Sequence, residues 1–162
     1  MFNIRTADTK DTELLQALAR EIWVTHYTGI LTAGQIEYML NKMYSLSTIE
    51  QEINSGIIWN IIIVDGEPVG FISFTPSDKE IKLNKLYILT DYHGKAYGQK
   101  ALSYVVDYAR AHSIPKVYLT VNKKNHKAIK AYERAGFSLI RQEITDIGNG
   151  YVMDDFVYSF IL

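Results

Sequence analysis

The stretch most suggestive of chemistry is a glycine-bearing turn between an apolar run and a helical pattern, LYILTDYHGKAYGQK from Leu86 to Lys100. A helix start offers backbone N–H groups without intrahelical partners and the positive end of the helix dipole, so the turn predicts an anion site. Gly94 and Gly98 allow close approach to the backbone, and Lys95 adds a positive charge. The same glycines also fit a tight turn that holds no ligand.

The spacing of these glycines does not match two common nucleotide motifs. A Walker phosphate loop needs G-x-x-x-x-G-K-[ST], a dinucleotide site needs G-x-G-x-x-G, and neither pattern occurs in the chain. Cysteine is absent and no histidine pattern resembles HExxH. ATP and NAD are therefore disfavoured, and no metal is predicted.

The first part of the chain predicts a strand followed by three helices. FNIRTA alternates as a strand does, and helical spacing of apolar residues begins at Asp11. Thr32 with Gln35 has the form of a capping box and predicts the start of a second helix near residue 33. Ser47 with Glu50 repeats that form ahead of a short third helix. Between the first two helices, WVTHYTGIL is interpreted as a loop rich in aromatic and polar side chains.

The rest of the chain predicts a hairpin, a crossover unit and a final helix with two strands. Asp65-Gly66 lies between two strand patterns and is a hairpin signal. The glycine turn and its helix connect an apolar strand to KVYLTV, so these two strands are expected to be parallel. Asn125 caps a further helix that Gly136 ends, and two strands joined by DIGNG follow. We therefore predict an α+β fold, a mixed sheet with helices on its faces.

The overall composition of the chain does not favour nucleic acid or a membrane as a partner. The chain has 17 Lys and Arg against 18 Asp and Glu, a formal net charge of -1, which gives no global attraction to nucleic acid or to an anionic membrane. No stretch approaches the roughly 20 apolar residues that span a bilayer. Without cysteine, a cytoplasmic location is the simplest expectation. The length of 162 residues fits one domain, residues 1–162.

Two motifs resemble signatures of the GNAT superfamily of acetyl-CoA-dependent N-acetyltransferases. YHGKAYGQKAL is similar to the pyrophosphate-binding pattern Q/R-x-x-G-x-G/A, with His93 in the Q/R place, Ala96 in that of the first Gly and Gly98 last. VNKKNHKAIKAYERAGF resembles V-x-x-x-N-x-x-A-x-x-x-Y-E-x-x-G-F. Its matching positions are Asn125, Ala128, Tyr132, Glu133, Gly136 and Phe137. The resemblance implies a mostly antiparallel sheet splayed between two parallel strands and flanked by helices.

The resemblance implies acetyl-CoA as co-substrate and suggests its contacts. The pantetheine arm is expected to pair with the backbone of Leu86, Tyr87 and Ile88 as an added strand. Asn125 is expected to contact the cofactor as well as to cap its helix. The diphosphate is expected on the turn amides, slightly further from the backbone where Ala96 carries a Cβ. The turn residues so assigned are His93, Gly94, Lys95, Ala96, Tyr97, Gly98 and Gln99.

Acetyl transfer needs a polarised carbonyl, an uncharged amine and a proton for the departing thiolate. By resemblance, the amide of Ile88 donates to the thioester oxygen and Tyr132 is the general acid, although a core tyrosine also fits that position. Some family members carry a Glu on the strand before the Asn motif, where this chain has Thr120. An alkylamine of pKa about 10.4 must still lose a proton. We expect an ordered-water relay that ends at His26 or at a carboxylate near the final strands.

Two segments are candidates for the acceptor side of the cleft. The resemblance places WVTHYTGIL there, with Trp23, His26 and Tyr27 forming a wall, although a packed aromatic loop fits equally. DIGNGYVMDDF is loosely similar in layout to bacterial spermidine/spermine acetyltransferases, and we assign Asp154 to the amine. Strand alternation puts Asp154 and Asp155 on opposite faces, so at most one points into a given cleft. The expected acceptor is an amine of a small molecule, polyamine or peptide.

Two other functions remain open. A non-catalytic acyl-CoA-binding module of the same fold is compatible with His93, Ala96 and the missing Glu, and it would bind CoA without turnover. An interaction protein that has lost the cofactor would gain no stability from acetyl-CoA. The apolar final strand SFIL is compatible with pairing across a homodimer.

Overall fold

A computed structural model describes residues 1–162 as one seven-stranded sheet with five α-helices on its two faces. The strand order is β1-β2-β3-β4-β5-β7-β6, and every neighbouring pair is antiparallel except β4 with β5. The strands are β1 Phe2–Thr6, β2 Ile58–Val64, β3 Glu67–Pro76, β4 Ile81–Ile88, β5 Lys116–Asn122, β6 Ser138–Gly148 and β7 Tyr151–Ile161. The helices are α1 Thr12–Tyr27, α2 Ala33–Met43, α3 Leu46–Asn54, α4 Tyr97–Ala111 and α5 His126–Arg134. The predicted α+β fold with a mixed sheet is confirmed.

The core has two parts, one on each face of the sheet. On one face, α4 packs its apolar stripe of Ala101, Leu102, Val105 and Ala109 onto the central strands. On the other face, α1, α2 and α3 cover a cluster rich in aromatic rings, including Trp23, Trp59 and Phe71. Because strand residues alternate between faces, the same strands contribute to both clusters.

The prediction of a loop over WVTHYTGIL is wrong for its first half, because α1 continues to Tyr27. Leu15, Ala19, Trp23 and Tyr27 are all buried and follow one another at four-residue spacing, so they form one stripe on the helix. Burial of this stripe outweighs the modest helix propensity of the aromatic and β-branched residues. The helix ends at Tyr27 with Thr28 as its C-cap, and Gly29 follows with φ of 90°.

The predicted N-cap residue of α2 is confirmed without the capping box, and the predicted N-cap of α3 is wrong. The Thr32 hydroxyl accepts from the Gln35 N–H at 3.0 Å, but the Gln35 side chain donates to the Val152 carbonyl instead of closing the box. The cap of α3 is Ser45, whose hydroxyl accepts from the Thr48 N–H at 3.2 Å. Both serines precede the helical pattern, and the chain enters the helix at the earlier one.

The parallel pair β4 and β5 separates along its length, as predicted. Ile81–Leu83 lie opposite Val117–Leu119, and no pairing continues beyond them. The β3–β4 register shifts at this point, so that Asn84 is an extra residue in β4. Such a bulge bends its strand and increases the local twist. The ends of β4 and β5 therefore enclose an open slot.

The last strand lies inside the sheet rather than at its edge. β7 pairs with β5 on one side and with β6 on the other. The expectation that SFIL pairs across a dimer stays a prediction: Ser159 has strand partners on both sides, whereas Phe160 and Ile161 pair only with β5. The free edges belong to β1 and β6. No helix is both long enough and apolar enough to cross a bilayer.

Candidate active site

The slot between β4 and β5 opens into a cavity of about 940 Å³ that reaches from the start of α4 to α2, α3 and the β6–β7 hairpin. Fourteen of the residues assigned from the sequence line it. They are Trp23, His26, Tyr27, Leu86, Tyr87, Ile88, His93, Gly94, Ala96, Tyr97, Gly98, Gln99, Asn125 and Tyr132. Lys95 and Asp154 do not, and no group of three or more acidic or histidine side chains is arranged to hold a metal ion.

The backbone of Ile88 faces this slot. The Leu89 N–H donates to the Val69 carbonyl at 2.8 Å, so these two residues form a hydrogen-bonded antiparallel pair. The next pair, Ile88 with Gly70, is then of the non-hydrogen-bonded kind, in which N–H and C=O point away from the partner strand. Both groups of Ile88 therefore point away from β3, toward the side where β5 has separated.

Leu86 lies two residues earlier and has the same backbone orientation, whereas Tyr87 pairs with Phe71 on β3. Of the three residues predicted to pair with pantetheine, Leu86 and Ile88 therefore direct their backbone groups to the slot, whereas the backbone of Tyr87 is paired with β3. Gly70 allows the two strands to approach here, because a Cβ on it would lie 2.3 Å from the Tyr87 carbonyl oxygen.

The turn before α4 presents helix amides without side-chain caps. Ala96 is the N-cap residue, with φ of 64° and no side-chain hydrogen bond to the helix. A Cβ built on Gly98 meets nothing within 4 Å, so the space before the first turn is open. These amide N–H groups can donate hydrogen bonds to an anion. Lys95 lies over the Tyr92 ring, 5.7 Å from its centroid, and does not line the cavity.

His93 is held between β4 and α5. Its Nε2 lies 2.7 Å from the Ile88 carbonyl oxygen, and its Nδ1 lies 2.8 Å from the Lys127 ammonium. A carbonyl only accepts and an ammonium only donates, so Nε2 carries the hydrogen and Nδ1 accepts. Both ring nitrogens are thus engaged within the chain, at a position assigned from the sequence to the diphosphate.

Helix α5 brings Asn125 and Tyr132 to the cavity. The Asn125 side-chain oxygen accepts from the Ala128 N–H at 3.3 Å, which confirms the predicted cap, and its Nδ2 lies 3.5 Å from His26 Nε2. Burial, and secondarily the neighbouring Tyr27, holds the pKa of Tyr132 well above its ordinary value. The phenol therefore keeps its proton at neutral pH.

The residues expected as an acceptor wall are side chains of α1. Trp23 and Tyr27 are buried, and the Tyr27 hydroxyl lies 2.9 Å from that of Tyr87. Burial raises the pKa of Tyr27 to about 12. The pKa of His26 is lowered by burial first and then by the charges of His93 and Lys127.

The two aspartates of β7 face different surroundings, and Asp154, which was assigned to the acceptor from the sequence, does not line the cavity. Asp154 is about half exposed, at 52%, and pairs with the Lys123 ammonium at 2.8 Å. Asp155 lines the cavity, is 7% exposed, and its Oδ1 has no hydrogen-bond partner. Burial, then the charges of Glu143 and Asp154, raises the pKa of Asp155 to about 6.

The sequence reasoning missed two charged groups that line the cavity. One is a basic stripe on α5, whose three- and four-residue spacing was visible in the sequence: Lys127, Lys130 and Arg134. The other is Lys85, buried at 7% exposure, with its ammonium 3.9 Å from Glu52 and 5.1 Å from the centre of the Trp59 ring. Burial lowers the pKa of Lys85. No local signal distinguishes this lysine from a surface one.

The slot between the separated parallel strands, next to the uncapped start of α4, can hold an extended acyl-thioester donor. Comparison with known proteins identifies the class of protein. The family model described as the acetyltransferase (GNAT) family matches residues 15–137. This span covers most of the chain, so the chain belongs to the GNAT acetyltransferase family. The predicted class, an acetyl-CoA-dependent N-acetyltransferase acting on an amine, is confirmed.

Individual relatives match this chain over nearly its full length. A spermidine N(1)-acetyltransferase of Thermoplasma acidophilum is 28% identical over 156 residues, which cover 93% of this chain and 94% of the relative. The crystal structure of the PaiA N-acetyltransferase of Thermoplasma acidophilum in complex with coenzyme A is 25% identical, with a TM-score of 0.86 over 100% of this chain and 99% of the other. A GCN5-related N-acetyltransferase from Rhodopseudomonas palustris, 18% identical, shares the fold with a TM-score of 0.84 over 99% of this chain and 95% of the other.

Proposed function

We propose that residues 1–162 act as one domain that transfers the acetyl group of acetyl-CoA directly to a primary amine, with a polyamine as the favoured acceptor. The observation that carries the proposal is the Ile88 backbone, which points away from β3 at a cavity that Tyr132 also lines. The polyamine is favoured by the relative named as a spermidine acetyltransferase. Small-molecule and peptide amines remain within the proposal.

The cofactor is proposed to lie in the slot with its pantetheine arm along Leu86 and Ile88. Its diphosphate lies on the amides from Ala96 to Gln99, where an anion is favoured by the helix dipole. The α5 stripe of Lys127, Lys130 and Arg134 adds the positive charge that phosphates attract. Asn125, at the start of the same helix, contacts the cofactor from the other side.

In the reaction, the Ile88 N–H donates to the thioester oxygen as negative charge develops on it. Tyr132 gives a proton to the departing thiolate. The raised pKa makes this phenol a much weaker acid than a thiol, whose ordinary pKa is about 8.5. Its proton therefore leaves together with loss of a proton from the acetylated nitrogen, so that the tyrosine is restored in the same step.

The experiment is a thiol-release assay with acetyl-CoA and a panel of polyamines, amino acids, aminoglycosides and peptides, with thermal stability measured alongside. We expect acetyl-CoA to stabilise the protein, by about 2.7 kcal/mol at 100 times its dissociation constant. We also expect one amine class to be turned over. Stabilisation without turnover would favour the binding module, and the absence of both would favour the interaction protein.

We also propose a homodimer through the free edge of β6 and a cytoplasmic location. β6 exposes several large apolar side chains beside unpaired backbone groups, namely Leu139, Ile140 and Ile144. Light scattering after gel filtration is expected to give twice the mass of 18.5 kDa, and Ile144→Asp to give the monomer. A monomeric wild-type protein would contradict the dimer. The location is favoured by the absence of cysteine and is tested by fractionating the source cells.

A further inference from the structure

We infer that Asp155 and Glu143 form the ammonium site for the acceptor, and that Asp155 takes the proton which the amine must lose before it attacks. The acceptor class is then an alkylammonium, such as one end of a polyamine. This inference rests on the proposed function and adds the proton acceptor that the expected strand position, Thr120, does not supply.

The two carboxylates meet across neighbouring strands. Glu143 on β6 is directly opposite Asp155 on β7, and both line the cavity. Opposed residues have Cβ atoms about 4.5–5.5 Å apart on one face of the sheet, and like charges placed so repel each other. A cation bound between these carboxylates relieves that repulsion.

Asp155 is the carboxylate that lacks a partner. Its Oδ1 is buried and makes no hydrogen bond, which is costly for a charged oxygen. The charge of Glu143 is partly compensated, since its side chain is 40% exposed and lies 3.7 Å from the Arg141 guanidinium. Because Asp155 lines the cavity, an ammonium of the acceptor bound there would compensate the charge of this carboxylate.

No cation of the chain is committed to Asp155. Lys123 lies close enough for its charge to lower the pKa of Asp155, but its ammonium bonds Asp154 at 2.8 Å and the Gln142 side chain at 2.8 Å. The other charges that reach Asp155 are the carboxylates of Glu143 and Asp154. The free charge at this point of the cavity is therefore negative.

Asp155 also lies at the reacting end of the cavity. It is opposite Asn122, the last residue of β5, beyond the point where β5 leaves β4. Burial is the main cause of the raised pKa of both Tyr27 and Tyr132; in addition, the charge of Asp155 raises the pKa of Tyr27, and Tyr27 raises that of Tyr132. Tyr27 is thus the common neighbour of the proposed base and the proposed acid.

The proton balance closes with these groups. The bound ammonium gives one proton to Asp155, and the free amine attacks the thioester carbon to form the N–C bond. Collapse of the intermediate breaks the C–S bond, and Tyr132 gives its proton to sulfur while the nitrogen proton restores the phenol. Asp155 then releases its proton to water, so the products are the acetamide, CoA thiol and one proton. With a pKa of about 6, Asp155 is ionised at neutral pH before the amine arrives.

The test compares neighbouring aspartates. Spermidine binding to CoA-saturated protein is measured by calorimetry, and turnover is measured by thiol release, for wild type, Asp155→Asn, Asp154→Asn and Glu143→Gln. We expect Asp155→Asn to lower kcat about 100-fold and to weaken spermidine binding at least about tenfold, as loss of a hydrogen bond to a charged group does. The affinity of Asp155→Asn for CoA should stay within about twofold of wild type. Asp154→Asn should change kcat and spermidine binding by no more than about twofold, because that carboxylate lies outside the cavity.

Glu143→Gln separates binding from proton transfer. We expect it to raise the KM for spermidine several-fold with kcat nearly unchanged, because Glu143 attracts the ammonium without taking its proton. In wild type, kcat/KM should rise with pH through the titration of Asp155, and this limb should vanish in Asp155→Asn but persist in His26→Gln. Restored turnover in Asp155→Glu would exclude a merely structural role.

The outcomes that overturn the inference differ from those that overturn the proposed function. Equal activity of Asp155→Asn and wild type, or loss of the pH limb in His26→Gln alone, would refute Asp155 as the proton acceptor. Failure of CoA-saturated wild type to bind spermidine would refute the ammonium site. Wild-type protein that binds spermidine through Asp155 but releases no thiol with any amine would support the site and contradict the transferase proposal.

Discussion

The imidazole of His93 links the strand that faces the thioester slot to the helix that carries Tyr132. Its Nε2 donates to the Ile88 carbonyl at 2.7 Å, and its Nδ1 accepts from Lys127 at 2.8 Å. The Ile88 carbonyl points away from β3 into the slot, and without His93 it would need another donor. The hydrogen bond from His93 therefore satisfies the Ile88 carbonyl, and the Ile88 N–H remains as the donor directed at the slot.

His93→Ala is expected to raise the KM for acetyl-CoA about five- to tenfold, because a hydrogen bond to a buried carbonyl contributes about 1 kcal/mol. The loss would act through the position of Ile88 rather than through the phosphates. Steady-state kinetics with acetyl-CoA and with acetylpantetheine, which lacks the diphosphate, check this. We expect the same factor for both donors, whereas a larger factor for acetyl-CoA would show that His93 contacts phosphate instead.

Ala96→Gly is expected to stabilise the protein. Ala96 has φ of 64°, a left-handed conformation that costs a non-glycine residue roughly 1 kcal/mol or more. Glycine removes this strain but loses more entropy on folding, so a net gain of about 0.5–1 kcal/mol is expected, or about 1–4 °C in Tm. Calorimetry of this variant beside Lys100→Gly, inside the same helix, provides the comparison. The second variant should lose about 1 kcal/mol, and a loss in both would contradict strain at Ala96.

Asp155→Asn is expected to stabilise the protein at pH 8 while it lowers kcat. The folded-state pKa of Asp155 is raised to about 6, whereas an unfolded aspartate titrates near 3.9. Between these values the folded chain binds the extra proton, so wild-type stability falls as pH rises through 6. The charge costs roughly 1–3 kcal/mol above that pH, which the neutral amide avoids.

Chemical denaturation of wild type and Asp155→Asn from pH 4 to 8 measures this difference directly. It should be largest at pH 8 and disappear near pH 4, where both chains are neutral at this position. Asp154→Asn should change stability by less than about 1 kcal/mol throughout, because its pair with Lys123 is half exposed. A pH-independent difference for Asp155→Asn would refute a buried carboxylate.

Lys85→Met is expected to leave stability unchanged or to increase it, because it removes a buried ammonium that burial disfavours. Glu52 is not left unpaired, since its side chain is 23% exposed and accepts from the Trp59 indole N–H at 3.1 Å. Lys85→Ala should instead lose about 2 kcal/mol or more, since it removes the methylene packing against Trp59. Because the pKa of Lys85 is lowered in the folded protein, unfolding takes up a proton at pH values between this folded-state pKa and about 10.5. Wild type should therefore gain stability relative to Lys85→Met as pH rises through this range. Equal losses in both variants would contradict this account.

Local turn chemistry explains what the sequence predicted correctly. The cap at Asn125, the left-handed Gly136 and the glycine turn before α4 depend on a few neighbouring residues, so their positions could be read directly. The parallel pairing of β4 and β5 was also predictable, because a crossover helix makes its flanking strands parallel, whereas their separation was expected only from the resemblance to the family. These features position most of the cofactor groove.

The errors have tertiary causes. Trp23 and Tyr27 looked like loop residues, and only their burial against β3 and β4 makes them helical. Asp154 and Asp155 are equivalent in sequence, and only the packing of β7 shows that Asp155 lines the cavity and Asp154 does not. Lys85 is buried because the bulge at Asn84 places it among aromatic rings, which no pattern of neighbouring residues indicates.

The most direct test of the central claim is the kcat of Tyr132→Phe with acetyl-CoA at saturating amine, measured beside the CoA dissociation constant. Phenylalanine keeps the ring and removes only the proton donor. We predict a fall in kcat of about 10²–10⁴-fold with CoA affinity unchanged within about twofold. A variant that retains wild-type kcat would contradict transfer of a proton from Tyr132 to the departing thiolate.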